Sequence, residues 1–151
     1  IDFPREGNGW SYKYARRQWN LVDNQELDYH FLGDFDKDMI ATIKSEKNFH
    51  RTPVQEIWHN DGDQILAYMR GNLIFVFNFN PTKSFTDYGF LVPTGSYDVV
   101  LNTDAVKFGG NGLADDSITH FTTYDPLYME ERKEWLKLYI PARSAVVLKK
   151  N

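Results

Sequence analysis

The densest run of chemically versatile side chains is Trp10-Ser11-Tyr12-Lys13-Tyr14-Ala15-Arg16-Arg17-Gln18-Trp19, where flat rings alternate with polar and cationic groups. Sugar recognition uses this mixture, because pyranoses present apolar C–H faces to aromatic rings and hydroxyls to charged and amide groups. Trp10, Tyr12, Tyr14, Arg16 and Arg17 are therefore candidate ligand-contacting residues. The same mixture suits a segment whose rings anchor it to a protein surface, and residue types alone leave both readings open. A second aromatic set lies near the other end. Trp135, Lys137 and Tyr139 alternate with Leu136, Leu138 and Ile140, so in a strand the first three share one face. Trp135 and Tyr139 join the candidate contacts, and Trp58 and Tyr68, on neighbouring hairpin strands, are expected to extend the aromatic surface. The plain alternative is that these rings fill a core.

Other chemistry is sparse. Asp34-x-Asp36-x-Asp38 opens like a calcium loop, but Met39 stands where the sharp-turn glycine belongs and Ser45 where a bidentate Glu belongs. His30, His50, His59 and His120 show no metal-ligand spacing, and no nucleophile elbow, phosphate loop or dinucleotide fingerprint occurs. No catalytic pair is assigned among the carboxylates, and neither a metal nor a cofactor is expected. The 21 acidic against 17 basic residues, a formal charge of -4, argue against a nucleic-acid partner. The strongest strand's apolar run, Leu73 to Phe77, is five residues, too short for a membrane helix. Cys is absent, which suits a reducing compartment, and cytoplasmic localisation is expected. Ile1-Asp2-Phe3-Pro4 has no leader character and reads as the start of an excised fragment.

The elements that must position these groups fall into two zones. Residues 1 to about 50 contain one proline, whereas Pro53, Pro81, Pro93, Pro126 and Pro141 punctuate the remainder as breakers do between strands. In the first zone Leu32, Phe35, Met39, Ile40 and Ile43 form a helical stripe opposite Asp34, Asp36, Lys37, Asp38 and Lys44. Asp23 or Asn24 is expected to cap an earlier turn around Gln25 to Phe31, with Gly33 bending or breaking the pair and residues 11–24 a loop or irregular helix. From Val54 the period becomes two. Residues 54–60, 64–70 and 73–79 read as a three-stranded meander, with turns at Asp61-Gly62-Asp63 and Gly71-Asn72. The unbroken run Leu73-Ile74-Phe75-Val76-Phe77 predicts a central strand covered on both faces. Further strands are predicted at 97–101, 118–124, 134–140 and 144–149, and Gly109-Gly110-Asn111-Gly112 marks a long flexible connection. The fold class is mainly β: an antiparallel sandwich of Greek-key type preceded by a helical segment.

Several stretches carry a resemblance. Ile1-Asp2-Phe3-Pro4-Arg5-Glu6-Gly7-Asn8 followed by residues 11–21 resembles the C-terminal part of 1,4-α-glucan branching enzymes, closest to the eukaryotic-type subgroup. The likeness continues through Phe35-Asp36-Lys37-Asp38-Met39, Leu73 to Phe79, and Asn80-Pro81-Thr82-Lys83-Ser84-Phe85-Thr86-Asp87-Tyr88. It then runs through Val99-Val100-Leu101-Asn102-Thr103-Asp104, Phe108-Gly109-Gly110 and Tyr139-Ile140-Pro141-Ala142-Arg143, essentially the whole chain. The departure is after Gly110, where relatives often carry His and Arg-Leu-Asp and this chain reads Asn111-Gly112-Leu113-Ala114-Asp115.

The resemblance implies an α-amylase superfamily glycosyltransferase of glycogen biosynthesis. Its (β/α)8 barrel cuts an α-1,4-glucan and rejoins the piece to a 6-hydroxyl through a retaining double displacement. It also implies that the three catalytic carboxylates lie upstream, so none is in this chain. Residues 1–50 would be the last barrel loop and helix and 51–151 the C-terminal all-β domain. The loop following the last barrel strand belongs to the active-site face, which would put Trp10, Tyr12, Tyr14, Arg16 and Arg17 at the substrate rim. The helix stripe would cover barrel strands of the same parent chain, and α-glucan and that barrel are the implied partners. Two other readings stay open: a stand-alone carbohydrate-binding sandwich module, and a purely structural interaction domain.

Overall fold

The computed structural model describes residues 18–124 and 133–151. Among these residues eight strands follow two α-helices: α1 (Trp19–Asp23), α2 (Tyr29–Ser45), β1 (Gln55–Asn60), β2 (Ile65–Arg70), β3 (Leu73–Asn78), β4 (Phe85–Leu91), β5 (Ser96–Asn102), β6 (Thr119–Tyr124), β7 (Glu134–Ile140) and β8 (Ser144–Lys150). Every pairing is antiparallel, in the order β1-β2-β3-β8-β5-β6-β7-β4. Strands β5, β6 and β7 run as neighbours while β8 returns beside β5, which is the Greek-key order expected from the sequence.

The hydrogen-bonded order folds over at β6. Residues Thr119, His120 and Phe121 pair with β5, whereas Thr122, Thr123 and Tyr124 pair with β7. One layer thus holds β1, β2, β3, β8 and β5, and the second holds β7 and β4. Between them lies the main core, with Ile65, Ala67, Ile74, Val76 and Leu148 from the first layer against Phe85, Phe90, Leu136, Leu138 and Ile140 from the second. Asn78, buried at the end of β3, ties the layers together: its Nδ2 donates to the carbonyls of Lys83, Ile140 and Pro141 at 2.9, 3.3 and 2.9 Å.

The Leu73 to Phe77 run behaves as its composition demands. Ile74 and Val76 enter the core between the layers, while Leu73 and Phe75 belong to a second cluster with Leu101 and Val147 on the outer face. Phe35 and Met39 of α2, with Phe49, cover that outer face. Tyr68 stacks on Phe75 and Phe77, with centroids 4.7 and 5.8 Å apart. Glu46, just past α2, pairs with Lys149 of β8 at 2.5 Å.

Three expectations need correction. Gly33 neither bends nor breaks the helix, because α2 runs through it. It permits close approach instead: a Cβ there would lie 3.1 Å from Cγ1 of Val22 on α1. Asn24 is no helix N-cap: it is the C-cap residue of α1, and its Oδ1 accepts from the Glu26 backbone N–H at 2.9 Å in the turn between α1 and α2. The glycine-rich stretch is a loop closed on one carboxylate, the backbone N–H groups of Asn111 and Leu113 donating to Asp104 at 3.1 and 2.6 Å. A strand was also absent from the sequence reading: β4, whose Thr86, Asp87 and Gly89 interrupt the apolar alternation.

Candidate functional site

The two margins of the sandwich, β1 and β4, come together at Trp58 and Tyr88, where the indole N–H donates to the phenol oxygen at 3.2 Å. Each margin carries a register shift, between Glu56 and Trp58 on β1 and between Phe85 and Tyr88 on β4. An extra residue in a strand bends it and re-aims its neighbours. On β1 the shift sets Trp58 opposite Ala67 and Glu56 opposite Tyr68, so Trp58 and Tyr68 do not share a face as the hairpin reading expected. Tyr68 goes under the helix, and Trp58 stays 46% exposed at the margin. On β4 the shift spans Asp87, a non-glycine at φ 52°, a left-handed conformation that costs an L residue about 1–2 kcal/mol.

Between these margins and β7 lies a groove of about 410 Å³ lined by Trp58, Thr86, Asp87, Tyr88, Gly89, Trp135 and Lys137. Strand alternation aims Trp135 and Lys137 outward while Leu136, Leu138 and Ile140 enter the core, as the sequence predicts. Gly89 lies beside the Trp135 ring, a Cβ there falling 3.4 Å from its Cε3, in ordinary van der Waals contact. A polar chain fixes the other indole. Tyr88 accepts from Trp58 and donates to Asp63 at 3.2 Å, and Asp63 also receives the Lys83 ammonium at 3.2 Å and the Asn60 amide at 3.2 Å. Burial pushes the Tyr88 phenol above the ordinary tyrosine range, with the Asp63 charge adding to it against the donation from Trp58. The phenol therefore keeps the proton it gives to Asp63.

The groove offers two indole surfaces, a carboxylate, an ammonium and hydroxyls. That set can stack a flat apolar face and pair with several hydroxyl groups. Of the sequence-stated candidates, Trp135 is here and Tyr139 is not. Tyr139 is 40% exposed and lines a smaller cleft of about 170 Å³ between the layers, with Ile118, His120 and Val146. Trp10, Tyr12, Tyr14, Arg16 and Arg17 lie outside the described residues. The groove residues Thr86, Asp87, Tyr88 and Gly89 were not among the candidates: Thr86 to Tyr88 carry part of the resemblance, but the strand that mounts them, β4, was not recognised in the sequence.

Among the described residues no three His, Asp or Glu side chains stand together as a metal site. Asp34, Asp36 and Asp38 sit along α2, where Asp38 holds Lys107 at 2.7 Å. Among the same residues no helix is long and apolar enough to cross a membrane.

An eight-stranded antiparallel fold of this order places the chain in a known class. The family described as the alpha amylase C-terminal all-beta domain matches residues 57–151, and the chain belongs to it. The likeness to individual proteins extends across the helices as well. The chain is 42% identical over 149 residues to a 1,4-alpha-glucan-branching enzyme of Saccharomyces cerevisiae and 43% identical over 150 residues to that of Candida glabrata. It is 40% identical over 151 residues to that of Felis catus. Each alignment takes in 98% of this chain and 21% of the relative, so the chain spans about one fifth of their length.

Proposed function

We propose that this chain is the non-catalytic C-terminal portion of a 1,4-α-glucan branching enzyme. The parent protein would cut α-1,4-glucan chains and rejoin the segments to 6-hydroxyls, in the cytoplasm. The observation that carries this reading is the identity over 98% of the chain, helices included, to proteins that bear that name and are about five times longer. On this reading residues 1–50 complete the parent's barrel domain and residues 51–151 form its C-terminal all-β domain. Trp10, Tyr12, Tyr14, Arg16 and Arg17 would then border the glucan cleft from the loop after the last barrel strand.

The helices support an extended partner surface. Phe35 and Met39 pack on the sandwich, while Leu32 is 65% exposed, Ile40 48%, Tyr29 55% and Trp19 61%. Large apolar groups left open on both helices fit a neighbour supplied by the rest of the parent chain. This favours the parent-enzyme reading over a stand-alone module, which would gain nothing from such a surface.

The test is incubation with amylose, followed by debranching and counting of new chains. The full-length parent is expected to create α-1,6 linkages and the 151-residue chain none. Branching by the isolated chain above a heat-killed control, or none by the full-length protein, would overturn the reading.

A further inference from the structure

Bulged sheet margins have an ordinary explanation, protection against strand addition by another chain. It accounts for the irregular backbone of β1 and β4 but not for what is mounted on it. Trp58 is a large apolar ring at a solvent-exposed margin, and its indole N–H is fastened by Tyr88, which Asp63 fastens in turn. Asp63 itself is held between Asn60 and Lys83. Edge protection needs none of this. Across the groove Trp135 has a glycine beside its ring, and the polar lining comes from the strained bulge at Asp87, from Thr86 and from Lys137. A Trp58 ring fastened through its N–H is pre-organised, so little freedom remains to be lost when a ligand stacks on it. About 410 Å³ is within the range of small-ligand clefts.

We propose that this groove is a secondary holding site for a short segment of α-1,4-glucan, stacked between Trp58 and Trp135 with its hydroxyls met by Asp87, Thr86 and Lys137. Tyr88 and Asp63 serve as positioning residues for the Trp58 ring. The inference rests on the reading that the parent protein acts on α-glucan. The catalytic carboxylates lie outside this chain on that reading, so the groove holds a chain at a distance from the chemistry. Its weak contact gains effect by repetition along a long polymer.

The experiment uses the full-length parent protein, native electrophoresis in gels containing glycogen, and kinetics of branching on amylose. Trp58→Ala and Trp135→Ala are each expected to weaken retardation about fivefold, the equivalent of about 1 kcal/mol of ring stacking. KM for long amylose should rise while kcat stays unchanged. Tyr88→Phe keeps the ring and removes the hydroxyl, and should weaken retardation about twofold with a shifted Trp58 indole N–H resonance. Tyr139→Ala should leave retardation intact. Should Trp135→Ala disturb folding, Trp58→Ala and Trp135→Phe at the same site carry the test. Unchanged retardation in folded Trp58→Ala and Trp135→Ala proteins would overturn the site while leaving the branching reading intact. An unmutated parent that neither branches nor is retarded would overturn the reading beneath it. Loss of thermal stability in Trp58→Ala with retardation unchanged would mean that the parent chain itself covers the groove.

Discussion

The two outer faces of the sandwich use aromatic rings in opposite ways. On the first layer Tyr68, Phe75 and Phe77 form a stacked ladder, closed by Phe35 and Met39 of the helix and by Phe49 in the short turn after it. On the second layer Trp135 and Tyr139 point away from the core, Trp58 stands at the adjoining margin, and Lys137, Asp87 and Thr86 are interspersed. Unrelieved apolar sequence on one strand demands cover on both sides, whereas alternation with charge leaves a face that remains in water. An aromatic ring takes its meaning from its neighbours along and across the strand.

Removing a ring from each face should separate the two cases most widely. Phe75 is 9% exposed, and Phe75→Ala is expected to cost about 3–5 kcal/mol in urea unfolding. Trp135→Ala, at a half-buried outward position, should cost less than half as much. The reverse ranking would break the comparison. Next in size is the polar tie between the layers. Asn78→Ala removes the amide donor to the carbonyls of Lys83, Ile140 and Pro141, the last of which keeps the Ser144 hydroxyl, and should cost about 1–3 kcal/mol by the same measurement. A loss below the error of the method would show that the layers are joined by apolar contact alone. Glu46→Gln loosens the link from helix to β8, and because Lys149 is partly exposed the expected loss is under about 1 kcal/mol, shrinking in high salt.

The smallest effects concern pH. Burial holds His120 below the ordinary histidine value, opposed by Asp98. Its neutral form is the one the fold prefers, so its contribution is present above the unfolded value and is lost as pH falls through the lowered one. At the exposed margin the hydrogen bond that the Glu56 carboxylate accepts from the imidazole raises His59. That contribution is present below the unfolded value and disappears as pH rises through the raised one. Melting temperatures between pH 7 and 5 should therefore fall less steeply in His120→Gln than in the unmutated chain, and slightly more steeply in His59→Gln. An unaltered slope in His120→Gln would show that this ring is hydrated in the cleft.

The covered face was readable because its strand obeys one rule without interruption. Five apolar residues in a row in β3, and Leu32, Phe35, Met39 at helical spacing, announce a doubly buried strand and a helix stripe, but the stripe was expected to cover barrel strands, and Phe35 and Met39 instead meet this sheet. The open face was readable only in part. The alternation in β7 put Trp135 and Lys137 outside, but β4 hides its strand character behind Thr86, Asp87 and Gly89. Those residues also build the groove. The bulge that spoils the period gives the site its shape, so the signal was lost where the structure departs from regularity. Trp58 and Tyr68 do lie on neighbouring strands, but Tyr68 left the expected aromatic surface for the same reason, a register shift between Glu56 and Trp58 that no periodicity reveals. The Asp104 loop was missed because its order comes from backbone groups converging on one carboxylate, which composition does not express.

The location of β8 carries a consequence for assembly. It is the last strand along the chain, yet it sits in the middle of the sheet order, between β3 and β5. Residues Leu73 to Phe77 meet their second pairing partner only across Lys149 to Ala145. Until those residues emerge from the ribosome, an uncharged run of high strand propensity has one bare flank, the composition that seeds cross-β aggregates. The helix segment is synthesised earlier and can shelter the broad surface of β3, but not its flank. Loss of residues 145–149 would therefore act on solubility out of proportion to the contacts they make, since it would leave the most apolar of the described strands as a sticky edge.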